Sequence, residues 1–169
     1  MAEEASKSLS MNKADLKIKI RKMKPSDIPS CGRVIQQAIG SRDAKKAKKD
    51  LIDQSKKLYV EGENFVADIN GKIAGIIGYW RLGHHPKKVA WLDWFAVDES
   101  YQRKGIGSKL LSHMLNRLSK KHFQMLCCEK SGEGVSSKLF YAKHKFVEFG
   151  RIKDYWENGE DLILLVKHL

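Results

Sequence analysis

The chain has 169 residues, and 42% of them are hydrophobic, which is enough for one domain with a substantial core. Its 32 Lys and Arg outnumber its 20 Asp and Glu, so the formal charge of +12 favours anionic partners such as phosphorylated cofactors or nucleic acid, without choosing between them. No segment reaches the roughly 18 uninterrupted apolar residues of a membrane span, and the polar start lacks the apolar run of a signal peptide. We therefore expect a soluble, cytoplasmic protein with a disordered tail over residues 1–15 and one domain over residues 16–169.

The first predicted elements are a strand and two helices. Apolar and basic residues alternate in "LKIKIRKM", the period of two that is typical of a half-buried strand. In "KPSDIPSCGRVIQQAIG", Ser26 is the expected helix cap and Gly40 the expected end of the helix. A second helix is predicted from Asp43 to Lys57, with its many lysines on a solvated face.

Antiparallel strands are predicted next. Asn70 and Gly71 join two apolar runs in "NFVADINGKIAGIIGYWRLG" and predict a hairpin, because both residue types tolerate the positive φ of a type I′ turn. The third strand is "KKVAWLDWFAV". His84 and His85 lie in the polar loop before it, and we expect both at the surface.

The hydrophobic period changes after Val97. The segment "KLLSHMLNRL" places four leucines and a methionine on one helical face, and "FQMLCCE" is typical of a buried strand. Strand, helix and strand then form a βαβ unit with a parallel pair. A further helix is expected over "GVSSKLFYAKHKF", with Val135, Leu139 and Ala142 as its apolar stripe, and "VEFGRI" and "DLILLVKH" are predicted as closing strands.

The cysteines do not indicate a disulfide or a metal site. Cys31, Cys127 and Cys128 give an odd count, and adjacent residues make a poor disulfide pair. The "CC" pair also lacks the spacing of a zinc site. We predict reduced thiols and no bound metal.

The turn "YQRKGIGSK" is the segment that most suggests a ligand. Gly105 and Gly107 would let an anion approach the unpaired N–H groups at the start of the following helix, where aligned peptide dipoles add positive charge. The turn does not match the dinucleotide-binding motif, because Leu110 stands where that motif has its third glycine. It does not match the P-loop motif either, because "GIGSK" has serine before lysine. We predict that the turn binds a pyrophosphate, the alternative being a glycine pair that serves only as a tight helix entry.

Residues 102–107, "QRKGIG", meet in full the Q/R-x-x-G-x-G/A pattern of the GNAT family of N-acetyltransferases, and the order of elements over residues 16–168 resembles that family. The resemblance implies an α/β fold with a mixed, mostly antiparallel central sheet of about seven strands, a βαβ coenzyme-binding unit and flanking helices. It also implies acetyl-CoA as cosubstrate. The residues that it assigns to acetyl-CoA are Phe95, Ala96 and Val97 along the pantetheine and acetyl group, and Gln102, Arg103, Lys104, Gly105, Ile106, Gly107 and Ser108 at the pyrophosphate.

Acetyl transfer to an amine uses a general base and a general acid. Tyr141 matches the family tyrosine that acts as the acid, and its helical position lies away from the predicted apolar stripe; the alternative is a packing tyrosine. Asp93 is the one acidic residue in "AWLDWFAV", where desolvation would raise its pKa, and it matches the position of a base in some relatives. The alternative is a carboxylate bonded to a neighbouring backbone or basic group, and Glu129 is the second candidate base.

Two positions depart from the family pattern. Gly134 stands where an asparagine that contacts the coenzyme is usual, which weakens one implied contact. Lys145 stands where a glycine would end the helix, at a cost of a few tenths to about 1 kcal/mol.

The resemblance implies transfer of an acetyl group from acetyl-CoA to the primary amine of a small molecule, a protein N-terminus or a lysine, by direct attack. The rival function is a non-catalytic module that binds nucleic acid or acyl-CoA through its basic surface. Nucleic-acid readers interleave exposed aromatic and basic residues, whereas Trp91, Trp94 and Phe95 lie in a run that is typical of a buried strand, so we favour the enzyme. The sequence does not choose between monomer and homodimer, and we expect no membrane partner.

Overall fold

The computed structural model describes residues 17–55, 61–132 and 135–169. The predicted tail, the end of the second helix beyond residue 55, and Gly134 lie outside the described residues. Within these ranges, no helix is both long enough and apolar enough to cross a membrane.

The described elements follow the predicted order and form one sheet. The strands are β1 (Ile18–Lys22), β2 (Glu61–Ile69), β3 (Lys72–Arg81), β4 (Val89–Val97), β5 (Met125–Ser131), β6 (Val147–Ile152) and β7 (Leu162–His168), and the helices are α1 (Ile28–Ala38), α2 (Ser41–Ser55), α3 (Ile106–Lys120) and α4 (Val135–Lys143). The strand order is β1-β2-β3-β4-β5-β7-β6. β4 and β5 are parallel and the other neighbouring pairs are antiparallel, so the predicted mixed, mostly antiparallel sheet is confirmed.

The turn between β2 and β3 is the predicted hairpin. Asn70 has φ 51° and Gly71 has φ 86°, the left-handed backbone that a type I′ turn requires. Asp68 Oδ1 accepts the Gly71 N–H at 2.8 Å. This local turn fixes the register of the two strands, in which Ile69 pairs with Lys72.

Hydrophobic layers cover both faces of the sheet. On β3, Ile76 and Ile77 are fully buried and point to opposite faces, because successive strand residues alternate. Helices α1 and α2 cover the Ile76 face. Helix α3 covers the Ile77 face with the apolar stripe expected from the sequence, of which Leu110, Leu111, Met114 and Leu118 are buried and Leu115 is partly buried.

The cap predicted for the first helix is wrong. Ser26 lies inside a short 3-10 turn (Pro25–Asp27), and α1 begins only at Ile28. In that turn the buried Asp27 carboxylate accepts the backbone N–H of Lys24 at 2.7 Å and two bonds from Arg21, at 2.6 and 3.0 Å. Charge-assisted bonds of this kind are roughly twice as strong as a neutral hydroxyl cap, which explains why Asp27 organises the turn.

The apolar stripe predicted for α4 is also wrong. Leu139 is 65% exposed, and Ala142 is exposed as well. The packed face carries Phe140 and Tyr141, which contact the core on the α3 side of the sheet. Aromatic rings bury more area than the Leu and Ala side chains would, so they determine which face of this short helix packs. At its end Lys145 has φ 61°, the left-handed conformation in which a glycine would be unstrained.

A cluster of charges around Glu63 joins α3 to the sheet. The Glu63 side chain, on β2, is only 9% exposed and accepts two bonds from Arg117 of α3, at 2.7 and 2.9 Å. Lys121 lies 3.6 Å away, Lys22 of β1 donates at 3.3 Å, and the Tyr79 hydroxyl donates at 3.2 Å. The hydrogen bonds from Arg117 are the main reason that the pKa of Glu63 is lowered to about 2.

We expect Glu63→Gln to destabilise the protein by about 1 to 2 kcal/mol at pH 7, because solvent screening at the exposed Arg117 reduces the effect of a pKa lowered this far. A lowered carboxyl pKa contributes stability above the unfolded value of 4.5, and this contribution is lost as the pH falls toward 2. Urea unfolding of both proteins at pH 7, 5 and 4 should therefore show a difference that shrinks in acid.

The matched control is Glu148→Gln, which breaks a pair with Arg151 three residues away on the surface. Water screens such an exposed pair, so this variant should resemble the parent protein. Equal destabilisation by the two substitutions would contradict the role given to Glu63.

Candidate functional site

The pairing of β4 changes along its length. Residues 89–91 pair with residues 125–127 of β5. Beyond Trp91 the two strands share no further pairs in the described chain, while β5 continues beside β7 as far as Ser131. The parallel strands therefore separate and leave the β5-side edge of residues 92–97 without a strand partner. The residues predicted to line the pantetheine, Phe95, Ala96 and Val97, lie on this edge.

A β-bulge occurs where β4 leaves β5. The register on β3 shifts between Ile77 and Tyr79, so that Asp93 and Trp94 lie together opposite the single residue Gly78. One extra residue in β4 bends the strand and increases its twist. As a result, both bulged side chains point to the face that α2 covers.

Helix α2 contacts both bulged side chains. Gln54 Nε2 donates to the Asp93 carboxylate at 2.6 Å, and Trp94 Nε1 donates to Asp50 at 3.3 Å. Gln54 Oε1 in turn accepts from Asn64 Nδ2 of β2 at 2.7 Å. The carboxylate of Asp93 is thereby held in a hydrogen-bonded network that spans three elements.

Desolvation raises the pKa of Asp93 to about 6. The hydrogen bonds from Gln54 and from the Trp94 backbone oppose this rise, Asp50 adds to it by repulsion, and Lys46 opposes it. Because the folded protein binds this proton more tightly than the unfolded chain does, the contribution of Asp93 to stability is greatest below pH 4 and falls by about 2 to 3 kcal/mol as the pH rises through 6. The desolvated carboxylate expected from the sequence is therefore present, and it is ionised at neutral pH at a cost in stability.

The loop between β4 and α3 offers a row of unpaired amide groups. Within the described chain, the backbone N–H groups of residues 103–108 have no acceptor, and Lys109 is the first to donate, to Gly105 O at 3.0 Å. Arg103 (φ 60°) and Gly105 (φ 82°) are left-handed, a backbone pattern that gathers N–H groups around one concave site. These donors and the positive end of the α3 dipole suit a pyrophosphate.

Side chains fasten this loop to the end of β4. Gln102 Nε2 donates to Val97 O at 3.1 Å, and Lys104 Nζ donates to Ser100 O at 2.8 Å. The buried Asp98 accepts the Ser100 N–H at 2.9 Å. Gln102 and Lys104, two of the residues that the resemblance assigns to the coenzyme, therefore use their side chains in this structure to hold the loop.

Aromatic rings and a histidine surround the first turn of α3. A Cβ at Gly107 would lie 3.4 Å from the Phe140 ring and 3.5 Å from the Phe95 ring, so there is little room for a larger side chain. Ser108 Oγ and His144 Nε2 are 3.0 Å apart and hydrogen-bonded. The start of α3 is thereby tied to the turn that follows α4.

Tyr141 of α4 reaches the point where β5 leaves β4. Its side chain lies against the thiol of Cys128, the residue that follows the last β5 residue paired with β4. Burial and this contact raise the pKa of Tyr141 well above its usual value, so the hydroxyl stays protonated at neutral pH. The ring also packs on Phe146 at 5.2 Å, so Tyr141 has a packing role in addition to its polar contact. All three cysteines are free and buried, in agreement with the predicted reduced thiols.

The remaining candidates lie apart from this network. Glu129 is exposed on β5. His84 is exposed as predicted, whereas the surface prediction for His85 is wrong, because its ring is half-buried against Trp80 and Trp91, with centroids 5.6 and 6.4 Å away. The large aromatic residues of β4 are half-buried, not fully buried.

Three polar residues of the site were missed by the sequence analysis. Asp98 had a readable signal, because Asp followed two residues later by Ser is typical of a side-chain-capped turn. Gln54 lies in a lysine-rich helix and Asn64 in an apolar strand, and no local pattern marks either of them. Only folding brings them to Asp93.

Comparisons with known proteins agree with this geometry. The sequence model of the Acetyltransferase (GNAT) family matches residues 35–146. Streptothricin acetyltransferase A from Bacillus subtilis (strain 168) is 30% identical over 89 residues, which are 53% of this chain and 51% of that protein. The chain therefore spans about half the length of this curated relative.

Solved structures share the fold. Ribosomal-protein-S18-alanine N-acetyltransferase from Escherichia coli superposes with a TM-score of 0.74 and 24% identity, over 89% of this chain and 93% of that chain. A GNAT family acetyltransferase from Elizabethkingia anophelis, solved with acetyl-CoA bound, gives a TM-score of 0.66 and 25% identity, over 90% and 98% of the two chains. The matched residues 35–146 include the separated strands, the unpaired amides and Tyr141. Because this match covers more than half of the sequence, the chain belongs to the GNAT family of acetyltransferases.

Proposed function

We propose that this protein is an acetyl-CoA-dependent N-acetyltransferase that acts on a primary amine. The observation that carries the proposal is the row of unpaired amides at residues 103–108 beside the open strand edge of residues 92–97. The amides fit a pyrophosphate, and the open edge fits an extended, amide-containing arm that hydrogen-bonds as an added strand would. The acetyl-CoA complex of the Elizabethkingia relative supports this choice of cosubstrate.

The two proton transfers of the reaction are assigned to opposite sides of the strand separation. Acetyl transfer forms a C–N bond to the amine and breaks the thioester C–S bond. Asp93, ionised above pH 6, accepts the proton that the amine loses, directly or through a water. Tyr141, protonated at neutral pH, donates to the departing sulfur. The pKa values of the two groups are far enough apart for one to act as base while the other acts as acid.

The acceptor is proposed to be the amine of a small molecule. The similarity to streptothricin acetyltransferase A supports this class and makes streptothricin the first acceptor to assay, by release of free thiol from acetyl-CoA. Peptides with a free N-terminus or a lysine form the second panel. Thiol release with a peptide and not with a small amine would contradict this choice of class while leaving the reaction intact.

Acetyl-CoA should raise the melting temperature of the protein, because a ligand that binds only the folded state adds about 2.7 kcal/mol of stability at a hundredfold excess over Kd. Gly107→Val fills the space before Phe95 and Phe140 and should abolish most of this shift. The matched control is Gly83→Val, an exposed loop glycine with open space around it, which should keep the full shift. An equal shift in both variants would place the pyrophosphate elsewhere.

Asp93→Asn should flatten the acidic limb of the kcat/KM profile near pH 6, because the amide cannot accept the proton of the amine. The acetyl-CoA Kd from calorimetry should stay within about threefold, since the substitution lies outside the loop. The control is Asp43→Asn at the far end of α2, which removes a carboxylate on the same side of the sheet but away from Asp93. If the acidic limb of kcat/KM is unchanged in Asp93→Asn but flattened in Glu129→Gln, the general base is Glu129.

Tyr141→Phe should lower kcat by about a hundredfold with little change in acetyl-CoA affinity. The value lies at the low end for general acids, because thiolate is a tolerable leaving group and the raised pKa of Tyr141 weakens proton transfer. The ring and its packing on Phe146 are retained, so the melting temperature of the unliganded protein should change little. Steady-state kinetics beside calorimetry distinguishes the outcomes: an unchanged kcat would leave Tyr141 with packing alone, and a parallel loss of affinity would make it a binding residue.

A further inference from the structure

Polar side chains from three elements meet at the bulge of β4. Asn64 of β2 pairs with Gly78 of β3, and Gly78 lies opposite Asp93, so these three residues lie side by side on one face of the sheet. Gln54 reaches them from α2 and bridges Asp93 and Asn64 through bonds of 2.6 and 2.7 Å. Asn64 is only 6% exposed, whereas Gln54 and Asp93 are half-buried, so the network runs from the buried face of the sheet toward its edge at α2.

Asp93 fixes the direction of every hydrogen bond in this network. An ionised carboxylate only accepts, so Gln54 must turn Nε2 toward Asp93 and Oε1 toward Asn64. Asn64 must then present Nδ2 to Gln54, which leaves its Oδ1 buried without a hydrogen-bond partner among the described residues. A buried oxygen of this kind costs free energy. The orientation of Gln54 is therefore kept at a cost in stability.

Gly78 gives the network its space. A Cβ at this position would collide with the Asn64 side-chain oxygen and would lie 3.3 Å from the Asp93 Cβ. Because Gly78 has no side chain, its neighbours on β2 and β4 converge above it. This gap allows one glutamine to bridge two strands that are not adjacent.

We propose that Gln54, braced by Asn64, is a positioning residue that holds the Asp93 carboxylate in one orientation at the bulge. The inference deepens the proposed function and rests on Asp93 being its base. Gln54 bonds to Oδ2 of Asp93 at 2.6 Å and so fixes the orientation of the carboxylate. The other groups that act on this carboxylate are Asp50 and Lys46 of α2, which have opposite charges, and the Trp94 backbone N–H.

The first test is the titration of the Asp93 carboxyl, followed by carbon-13 NMR in the full chain without any acceptor. Gln54→Met keeps the length of the side chain but removes the donor, so the midpoint should rise by at least about 0.5 pH unit, because the hydrogen bond favours the ionised form. Gln54→Lys keeps a donor and adds a positive charge, so the midpoint should fall by a similar amount. A folding defect would not move the midpoint in opposite directions in the two variants.

Two further variants complete the test. Asn64→Leu removes the bond that holds Gln54 Oε1, so the Gln54 side chain is less fixed over Asp93 and the Asp93 midpoint should move in the same direction as in Gln54→Met, by a smaller amount. Gln37→Met, at an exposed glutamine of α1, is the matched control and should leave the midpoint unchanged. Midpoints that agree within about 0.2 pH unit in the parent protein and both Gln54 variants would overturn the positioning role.

The pH dependence of kcat/KM in the same variants tests whether the orientation of Asp93 matters for the reaction. The acidic limb of kcat/KM should move upward in Gln54→Met and downward in Gln54→Lys, following the carboxyl midpoint. Midpoints that move while the limb stays fixed would overturn the use of Asp93, and of Gln54 through it, in catalysis. The proposed function is tested by different measurements: it fails if acetyl-CoA gives no melting shift and no acceptor gives thiol release. The titration of Asp93 needs neither acetyl-CoA nor an acceptor, so the two failures can be told apart.

Discussion

The separation of β4 from β5 is the constraint on which the rest of the molecule depends. β4 pairs with β3 as far as its last residue, Val97, but with β5 over only three residues. The bulge opposite Gly78 supplies the local bend that makes both pairings possible. If β4 remained paired with β5 throughout, the backbone edge of Phe95, Ala96 and Val97 would be hydrogen-bonded within the sheet and closed to an extended ligand. The same bulge turns Asp93 and Trp94 toward α2.

The separated strands also place different chemistries on the two faces of the sheet. Asp93 faces α2, whereas Tyr141 reaches β5 from the side of α3 and α4. The loop that follows β4 gathers its amides at the end of the same strand, so the course of β4 fixes the proposed sites for the anion and the base, while α4 supplies the proposed acid. The desolvated Asp93 and the left-handed Arg103 each lower stability. Ion clusters at a distance, such as that of Glu63 with Arg117, help to offset this cost.

Most of the fold was predictable because its signals are local. The alternating "LKIKIRKM", the Asn70–Gly71 turn and the glycine turn before α3 each depend on residues close together in the chain, and each was located correctly. The prediction failed where local and tertiary effects compete. The helix start predicted at Ser26 is displaced to Ile28, because the Asp27 carboxylate binds Arg21 of β1 and the Lys24 N–H and so holds residues 25–27 in a 3-10 turn. The α4 stripe was wrong because the aromatic rings of Phe140 and Tyr141 pack more favourably than aliphatic side chains at helical spacing.

The sequence by itself therefore determined the order of elements, the family, the position of the glycine turn proposed to bind an anion, and Asp93 as a desolvated carboxylate, since short-range patterns of polarity and glycine carry that information. Only the tertiary structure decided the surroundings of that carboxylate. Gln54, Asn64 and Gly78 come from α2, β2 and β3, and no spacing in the chain relates them to Asp93. Their contacts depend on strand register, on the bulge and on the placement of α2 over the sheet. These features are set by the packing of the whole core, which a local stretch of sequence does not specify.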